Sequence, residues 1–265
     1  MKHLKEDFKQ YKGHIHPPLF TMIPLKNWVP DELHVMLRIT DRLWDLMLAE
    51  VKSQKFDNEI RDIICEEMKR IKVKFSFWQD QRTWLHTSLM GDDKIKVIKL
   101  FNLNTILPSH QAEKIHNLWN SFYGLYQKMK DVSTNPEDFA IKTKAWLDLF
   151  LTPSTGTPNT VEYVKGLYRP NDITPYIHVF VFHIHEFIKF HQGFGLSAFS
   201  CAPIEKKNHQ HVSHFFRGTF KDGGAKETNS SAIVEILQLE SRMLYYWAQK
   251  TPISFPKNKK LRISQ

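Results

Sequence analysis

The chain has 265 residues, of which 42% are hydrophobic and 13% aromatic, a composition typical of an ordered globular protein. No apolar run approaches the roughly 20 residues that span a bilayer, and residues 1–7 are too charged for a secretory signal. The net charge of +9 favours a polyanionic partner, which means nucleic acid before membrane.

The two cysteines, Cys65 and Cys201, lie far apart in the sequence and have no metal-ligand spacing. A protein with so few cysteines and no pairing pattern is expected in a reducing compartment. We therefore expect an intracellular protein, located in the nucleus if the source is a eukaryote.

The first third of the chain is predicted to hold a helix between two strands. Residues 17–25 form a short apolar run bounded by prolines, and residues 73–78 alternate as a strand does. Between them, Asp31 can cap a helix whose apolar positions recur on one face as far as about Val51. His34 follows Asp31 by three residues and lies on the same face.

The rest of the chain is predicted to be mostly helical. A turn is expected at residues 91–93 and a loop at residues 152–160, where glycine and proline interrupt the pattern. Residues 1–12 are expected to be an exposed helix or a frayed end, and the basic residues 257–262 a solvated tail or a phosphate contact. The predicted helices cover residues 57–72, about 95–100, 109–130, 136–151 and, capped by Ser231, 233–247.

The segment from residue 173 to residue 217 contains seven histidines but only two acids, Glu186 and Glu205. His178 and His183 have the spacing H-x4-H, and imidazole nitrogens are common zinc ligands. A zinc site usually has four ligands, and no C-x2-C motif accompanies this pair. The spacing of this pair is therefore compatible with a zinc site, for which the other ligands are not apparent in the sequence.

Two other interpretations of these histidines remain open. They can be hydrogen-bonded residues of an aromatic core, which is our expectation for His185 and His191. The other interpretation is a small zinc hydrolase, built on His178, His183, His185 and Glu186. No further element at metal-ligand spacing supports a hydrolase.

Glu205 is expected in the first turn or two of a helix, with basic and polar neighbours. A single acid among donors, in a positively charged chain, fits a metal-carboxylate site that cleaves DNA. In such sites carboxylates hold two divalent ions about 3.5–4 Å apart. The candidate phosphate contacts are Lys206, Lys207, His209 and Arg217. The alternative is that Glu205 is an ordinary surface acid.

Four short motifs together carry a resemblance to a known family. They are D-x-L-H at 31–34, T-P-Y-I-H-V-F-V-F-H at 174–183, G-F-G-L-S-A-F-S at 193–200 and I-E-K-K-N at 204–208. In this combination the chain resembles the C-terminal two-thirds of the catalytic region of cut-and-paste DNA transposases with an RNase H-like fold. The group meant is the one with a helical insertion before the last acid, which includes the CACTA-like and hAT-like families. The resemblance covers about residues 17–217.

The resemblance implies a mainly α protein with a small β contribution, in which a partial RNase H-like core carries a large helical insertion. The implied segments are a core segment at 1–80, the insertion at 81–170, returning core helices with Glu205 at 171–250 and a basic tail at 251–265.

The resemblance also implies a metal site and a partner. Such transposases bind two magnesium ions, which manganese can replace, through an Asp, a second Asp and a Glu, and they act on DNA. Asp31 corresponds to the second Asp, and Glu205 corresponds to the Glu. His178 and His183 resemble half of the zinc site of some relatives, including the catalytic subunit of the antibody-gene recombinase.

Two parts of the family pattern are missing from the sequence. The first Asp should lie on a strand well before Asp31, but the only earlier Asp is Asp7, in a charged stretch without a strand pattern. The C-x2-C motif is absent as well. Both absences fit a chain that begins inside the catalytic core, through truncation, gene decay or a misplaced start. We therefore expect a transposase-derived DNA-binding remnant that is inactive alone. The alternative is a non-catalytic helical DNA-binding or interaction protein, in which Asp31 is only a helix cap.

Overall fold

The computed structural model describes residues 22–24, 27–54, 56–218 and 231–250. Over these ranges the protein is mainly helical and has one antiparallel sheet of two strands, so the prediction of a mainly α protein is confirmed. The chain divides into two compact units, Met1–Ser200 and Cys201–Gln265. None of the helices within the described ranges is both long enough and apolar enough to span a bilayer.

Most described residues belong to regular elements. Those of the first unit are α1 (Glu32–Gln54), α2 (Asn58–Arg70), β1 (Phe77–Asp80), β2 (Thr83–His86), α3 (Gly91–Leu100), α4 (Ser109–Lys130), α5 (Pro136–Phe150), α6 (Pro175–Phe182) and α7 (Ile184–Phe190). Those of the second unit are α8 (Ala202–Gly218) and α9 (Ala232–Ala248). Short 3-10 turns lie at Leu103–Thr105, Pro170–Asp172 and Leu196–Phe199.

Helix α1 lies at the centre of the first unit. Asp31 caps it, because its Oδ2 accepts the backbone N–H of His34 at 3.2 Å and so satisfies a donor that the helix start leaves open. The apolar side chains of α1 are buried along one face: Val35, Met36, Ile39, Leu43, Trp44, Met47, Leu48 and Val51. Packing of such a face is what stabilises a helix in a folded protein, so Asp31 stands at the end of a rigid element.

The aromatic side chains of α4, α5 and α6 form the inside of the core. The ring of Phe180, on α6, lies 5.4 Å from Phe122 and 5.6 Å from Trp146, centroid to centroid. The indole N–H of Trp146 donates to the carbonyl of Leu118 at 3.0 Å. The aromatic stripe of the predicted helices therefore belongs to the core, as predicted, and it anchors α6.

Two ion pairs tie α1 to neighbouring segments. Arg42 donates from Nη2 to Oδ1 of Asp172 at 2.8 Å and from Nε to the carbonyl of the same residue at 3.0 Å. Lys94, a buried lysine on α3, reaches Asp41 at 2.7 Å. Since Asp172 comes shortly before α6, the Arg42 contact holds the start of the histidine-rich segment against α1.

The strand predicted at residues 73–78 is misplaced. Residues 73–76 are irregular, and the strands β1 and β2 form a hairpin that pairs Phe77 with His86. The rings of Phe75 and Phe77 pack edge to face, 5.1 Å apart. The alternation of apolar residues in this segment therefore reflects the packing of aromatic side chains. It does not coincide with the boundaries of the strand.

The turn predicted at residues 91–93 is also wrong. These residues form the first turn of α3, where the carboxylates of Asp92 and Asp93 are favoured by the positive end of the helix dipole. The last helix begins directly after Ser231 as predicted, but the Ser231 side chain makes no capping hydrogen bond.

Several predictions fall outside the described residues. They concern residues 1–12 with Asp7, most of the strand at 17–25, and the tail at 257–262. Of that strand, residues 22 and 23 are described and form a turn and a bend. The RNase H-like core and the four implied segments stay predictions.

Candidate metal centre

His178 and His183 lie on the two sides of a break between helices. Helix α6 ends at Phe182, and His183 has φ −128° and ψ −27° before α7 begins. On a continuous helix, two residues five positions apart point about 140° away from each other. The break turns the two rings toward one another, and their Nε2 atoms lie 3.2 Å apart.

This separation suits two ligands of a single metal ion. Two nitrogens that bind a tetrahedral zinc ion at about 2.0–2.1 Å lie about 3.3 Å from one another. The other ring nitrogen of His183, Nδ1, is 3.2 Å from Oε2 of Glu186. A carboxylate in that position fixes the tautomer and the orientation of a metal-binding histidine. The pair and its carboxylate therefore fit half of a zinc site.

No third ligand completes the site among the described residues. Within these ranges, no group of three or more histidine, cysteine, aspartate or glutamate side chains is arranged to hold a metal ion. The hydrolase interpretation required His185 and Glu186 to join the pair, and they do not form such a group. Further ligands would have to be water or groups outside the described ranges.

His185 and His191 differ from their prediction. Nδ1 of His185 and Nε2 of His191 are buried and have no hydrogen-bond partner in the described part of the chain, so the expectation of hydrogen-bonded core histidines is wrong for these two atoms. The ring of His191 instead packs against Phe199, with centroids 4.6 Å apart. Packing against Phe199 therefore helps to hold this ring in place.

Asp31 has the capping role that one of its two interpretations predicts. Its Oδ2 contacts both the backbone N–H and the ring Nδ1 of His34. Only 12% of the Asp31 side chain is exposed. The carboxylate thus caps the helix start, and the histidine ring lies beside it on the same face.

Two neighbouring cavities connect these features. Asp31 and His34 border a cavity of about 580 Å³. His183 and Glu186 border a second cavity of about 660 Å³, whose walls are mostly apolar. Both cavities are lined by Pro30 and Val179, so the capped start of α1 and the histidine pair open onto the same region of the first unit.

Glu32 and Tyr126 form a buried pair that the sequence analysis missed. Burial and, after it, the negative charge of Glu32 raise the pKa of Tyr126. Oε2 of Glu32 is buried without a hydrogen-bond partner among the described residues. An acid in the first turn of a helix is normally explained by the helix dipole, which is why its position alone gave no functional signal.

The candidate DNA-binding residues all lie on α8, in the second unit. Glu205 is in the first turn of that helix. The side chains of Lys206, His209 and Arg217 are exposed, as is that of Glu205. Their exposure is compatible with contacts to a phosphate backbone.

Lys207 has a different environment from its neighbours on α8. Its Nζ lies 2.6 Å from one carboxylate oxygen of Glu240, on α9, and Nε2 of His211 lies 3.0 Å from the other. The hydrogen bond from Lys207, and then that from His211, lower the pKa of Glu240. Lys207 therefore links α8 to α9, a role that sequence reasoning missed because Glu240 is 33 positions away along the chain.

Asp31 and Glu205 belong to different units. The hypothesis that they bind the same magnesium or manganese ions stays a prediction.

No protein family, curated protein or solved structure matches the chain.

Proposed function

We propose that this chain is a transposase-derived protein that associates with DNA and binds a zinc ion through His178 and His183. The observation that supports the zinc site is the 3.2 Å separation of the two Nε2 atoms, with the carboxylate of Glu186 beside Nδ1 of His183. Zinc bound there cross-links α6 and α7 and stabilises the bend between them. Its role in this proposal is structural.

Zinc binding to the purified chain tests this site. In equilibrium dialysis we expect about one zinc ion per chain. His178→Ala and His183→Ala should abolish binding, and Glu186→Gln should weaken it about 10–100-fold, because a ligand histidine depends on the carboxylate that orients it. His110→Ala is the control, since His110 is an exposed histidine on α4. Undiminished zinc binding by both ligand variants would sink the proposal.

The DNA association rests on charge and exposure. The chain carries a net charge of +9, and α8 presents Lys206, His209 and Arg217 to solvent. Cationic side chains on a helix surface bind the phosphate backbone by releasing counterions. In a eukaryote, association with DNA would place the protein in the nucleus.

We further propose, on the family resemblance, that Asp31 and Glu205 descend from magnesium-binding carboxylates. No acid of the 265-residue chain has the position expected of the first Asp, so this chain should not cleave or join DNA on its own. Nicking or strand transfer by the purified chain in the presence of magnesium would contradict this expectation.

The second candidate function is a non-catalytic helical DNA-binding or interaction protein, in which Asp31 only caps α1. It is favoured by the capping hydrogen bond to His34. Two substitutions separate the candidates. Asp31→Ala removes both the cap and the charge, and should cost about 0.5–2 kcal/mol of stability. Asp31→Asn keeps a capping oxygen and removes only the charge.

Two measurements on these variants distinguish the candidates: manganese binding by electron paramagnetic resonance, and stability by denaturant unfolding. If Asp31 is a metal carboxylate, Asp31→Asn should lose manganese and keep its stability. If manganese binding is unchanged in Asp31→Asn and only Asp31→Ala loses stability, helix capping remains as the only role of Asp31.

A further inference from the structure

A groove between α4 and α5 is separate from the histidine pair. It has a volume of about 340 Å³, which lies in the range of small-molecule sites. Two of the side chains that line it, Leu125 and Trp146, are buried and belong to the apolar core. The full lining consists of Ser121, Gly124, Leu125, Lys128, Lys142, Ala145, Trp146 and Leu149. The groove therefore combines an apolar surface with two cationic side chains.

The two lysines of the groove share one carboxylate. Nζ of Lys142 lies 2.6 Å from Oδ2 of Asp138, and Nζ of Lys128 lies 3.7 Å from the same oxygen. The neighbouring Lys142 ammonium group lowers the pKa of Lys128, as is expected where two like charges lie close together. One carboxylate neutralises one ammonium group, so this part of the groove keeps a surplus positive charge.

Gly124 keeps the groove open. It lies in the interior of α4, where glycine is less favourable than alanine. A Cβ atom at this position would meet no neighbouring side chain or segment within 4 Å, so close packing does not require a glycine here. A larger side chain at this position would instead occupy the open space of the groove.

The charge and the lining together define the ligand. A neutral apolar molecule would leave the surplus positive charge unused, and an inorganic anion would leave the apolar surface in water. A single surplus positive charge matches a monoanion better than a dianion such as a phosphate monoester. We therefore propose that the groove binds a small organic carboxylate with an apolar body. The body contacts Leu125 and Trp146. The carboxylate accepts charge-assisted hydrogen bonds from Lys128 and Lys142.

Isothermal titration calorimetry of the full chain with sodium octanoate tests the charge requirement. We expect saturable binding of octanoate and no measurable binding of 1-octanol or octylamine. Lys128→Gln and Lys142→Gln should each raise the octanoate dissociation constant by about tenfold or more, because each removes a charged donor. Lys144→Gln is the matched control, since Lys144 is an exposed lysine of α5 that does not line the groove.

Gly124→Leu tests the position of the ligand. Leucine is a better helix former than glycine, and a Cβ atom at this position meets no neighbour, so the variant should be at least as stable to urea as the wild type. It should nevertheless abolish octanoate binding by filling the groove, whereas Gly124→Ala should weaken binding less.

Asp138→Asn tests the surplus charge from the opposite direction. It removes the carboxylate that competes with the ligand for the two lysines, so octanoate should bind several-fold more tightly. A merely structural role of Asp138 predicts weaker binding instead.

Four results would overturn the proposal. They are the absence of saturable octanoate binding, equally tight binding of 1-octanol, equally tight binding of inorganic phosphate, and octanoate binding that is unchanged in Gly124→Leu. The second shows that the lysines are not recognised, the third that the apolar lining is not, and the fourth that octanoate binds elsewhere.

Discussion

Glu67 is a buried acid with a defined structural role. Its carboxylate accepts two hydrogen bonds from Arg70, at 2.8 Å from Nε and 2.6 Å from Nη2. It also accepts the backbone N–H of Asn102 at 2.7 Å. One side chain on α2 therefore holds the segment that follows α3, and the hydrogen bonds from Arg70 are the main reason why the pKa of Glu67 is lowered.

Glu67 should make stability depend on pH. A carboxyl whose pKa is lower in the folded than in the unfolded chain stabilises the fold above its unfolded pKa, and this contribution is lost as the pH falls through the folded pKa. Glu67→Gln should lower the free energy of unfolding at neutral pH by about 1–3 kcal/mol and flatten its decline in acid. Denaturant unfolding from neutral pH to about pH 3 measures both effects.

Glu66→Gln is the control for this pH dependence, since Glu66 is the exposed acid next to Glu67. It should leave the pH dependence as it is in the wild type. If Glu67→Gln loses stability in acid as steeply as the wild type does, the assigned role of Glu67 is wrong.

For single residues, the sequence identified the members of the candidate site more reliably than it predicted their arrangement in space. The H-x4-H motif singled out His178 and His183 from residue type and spacing. Their close approach depends on the helix break at His183, which periodicity cannot reveal because both flanking segments have helical patterns. The unpartnered nitrogens of His185 and His191 were likewise hidden, since they depend on which rings surround them.

The proposed association with DNA depends on the charged residues of helix α8. Lys206 and Lys207 are adjacent in sequence, but Lys206 is exposed and Lys207 is paired with Glu240 at 2.6 Å. A lysine that is already neutralised by a carboxylate releases fewer counterions when a phosphate approaches. The two lysines should therefore differ in their contribution to DNA binding.

Fluorescence anisotropy with labelled duplex DNA over a range of salt concentrations measures this difference. Lys206→Ala and Arg217→Ala should each weaken binding and each lower the salt slope by roughly one. Lys207→Ala should change the slope less and destabilise the contact between α8 and α9. Equal effects of Lys206→Ala and Lys207→Ala would show that the ion pair with Glu240 does not persist.

Element boundaries were predictable where the apolar pattern was long. Helix α4 begins and ends at the residues expected from its stripe, Ser109 and Lys130, because nine buried side chains keep one period over its length. The hairpin of β1 and β2 was not expected in this form. Each strand has only four residues, too few to establish an alternation against the aromatic neighbours.

At the scale of the whole molecule, the buried apolar core lies within one unit. Its described members run from Val35 to Leu196, all inside Met1–Ser200. A single contiguous core normally unfolds cooperatively. The first unit should therefore contain the interactions that stabilise its own fold, without help from α8 and α9.

A chain of residues 1–200 should unfold in one transition, at a denaturant midpoint close to that of the corresponding transition of the full chain. Circular dichroism during urea unfolding measures this, and the zinc assay applies to the same fragment because His178 and His183 lie within it. A broad, non-cooperative transition would show that the second unit is needed for the core.

The mainly α character was predictable from composition and periodicity, whereas an RNase H-like core was not derivable from the same pattern. A sheet of that kind depends on pairing between strands distant in sequence, which local periodicity does not encode. Among the described residues, the only sheet joins the neighbouring strands β1 and β2. Whether Asp31 and Glu205 bind the same metal ions is therefore a question for metal-binding measurements and not for sequence patterns.

The most direct test of the zinc site is X-ray absorption at the zinc edge, on the wild-type chain loaded with one equivalent of zinc. The proposal predicts two imidazole nitrogens at about 2.0–2.1 Å from the metal in the wild type, and the loss of this zinc–imidazole signal in His178→Ala. Zinc bound by sulfur at about 2.3 Å, or a spectrum unchanged in His178→Ala, would contradict a metal centre built on this histidine pair.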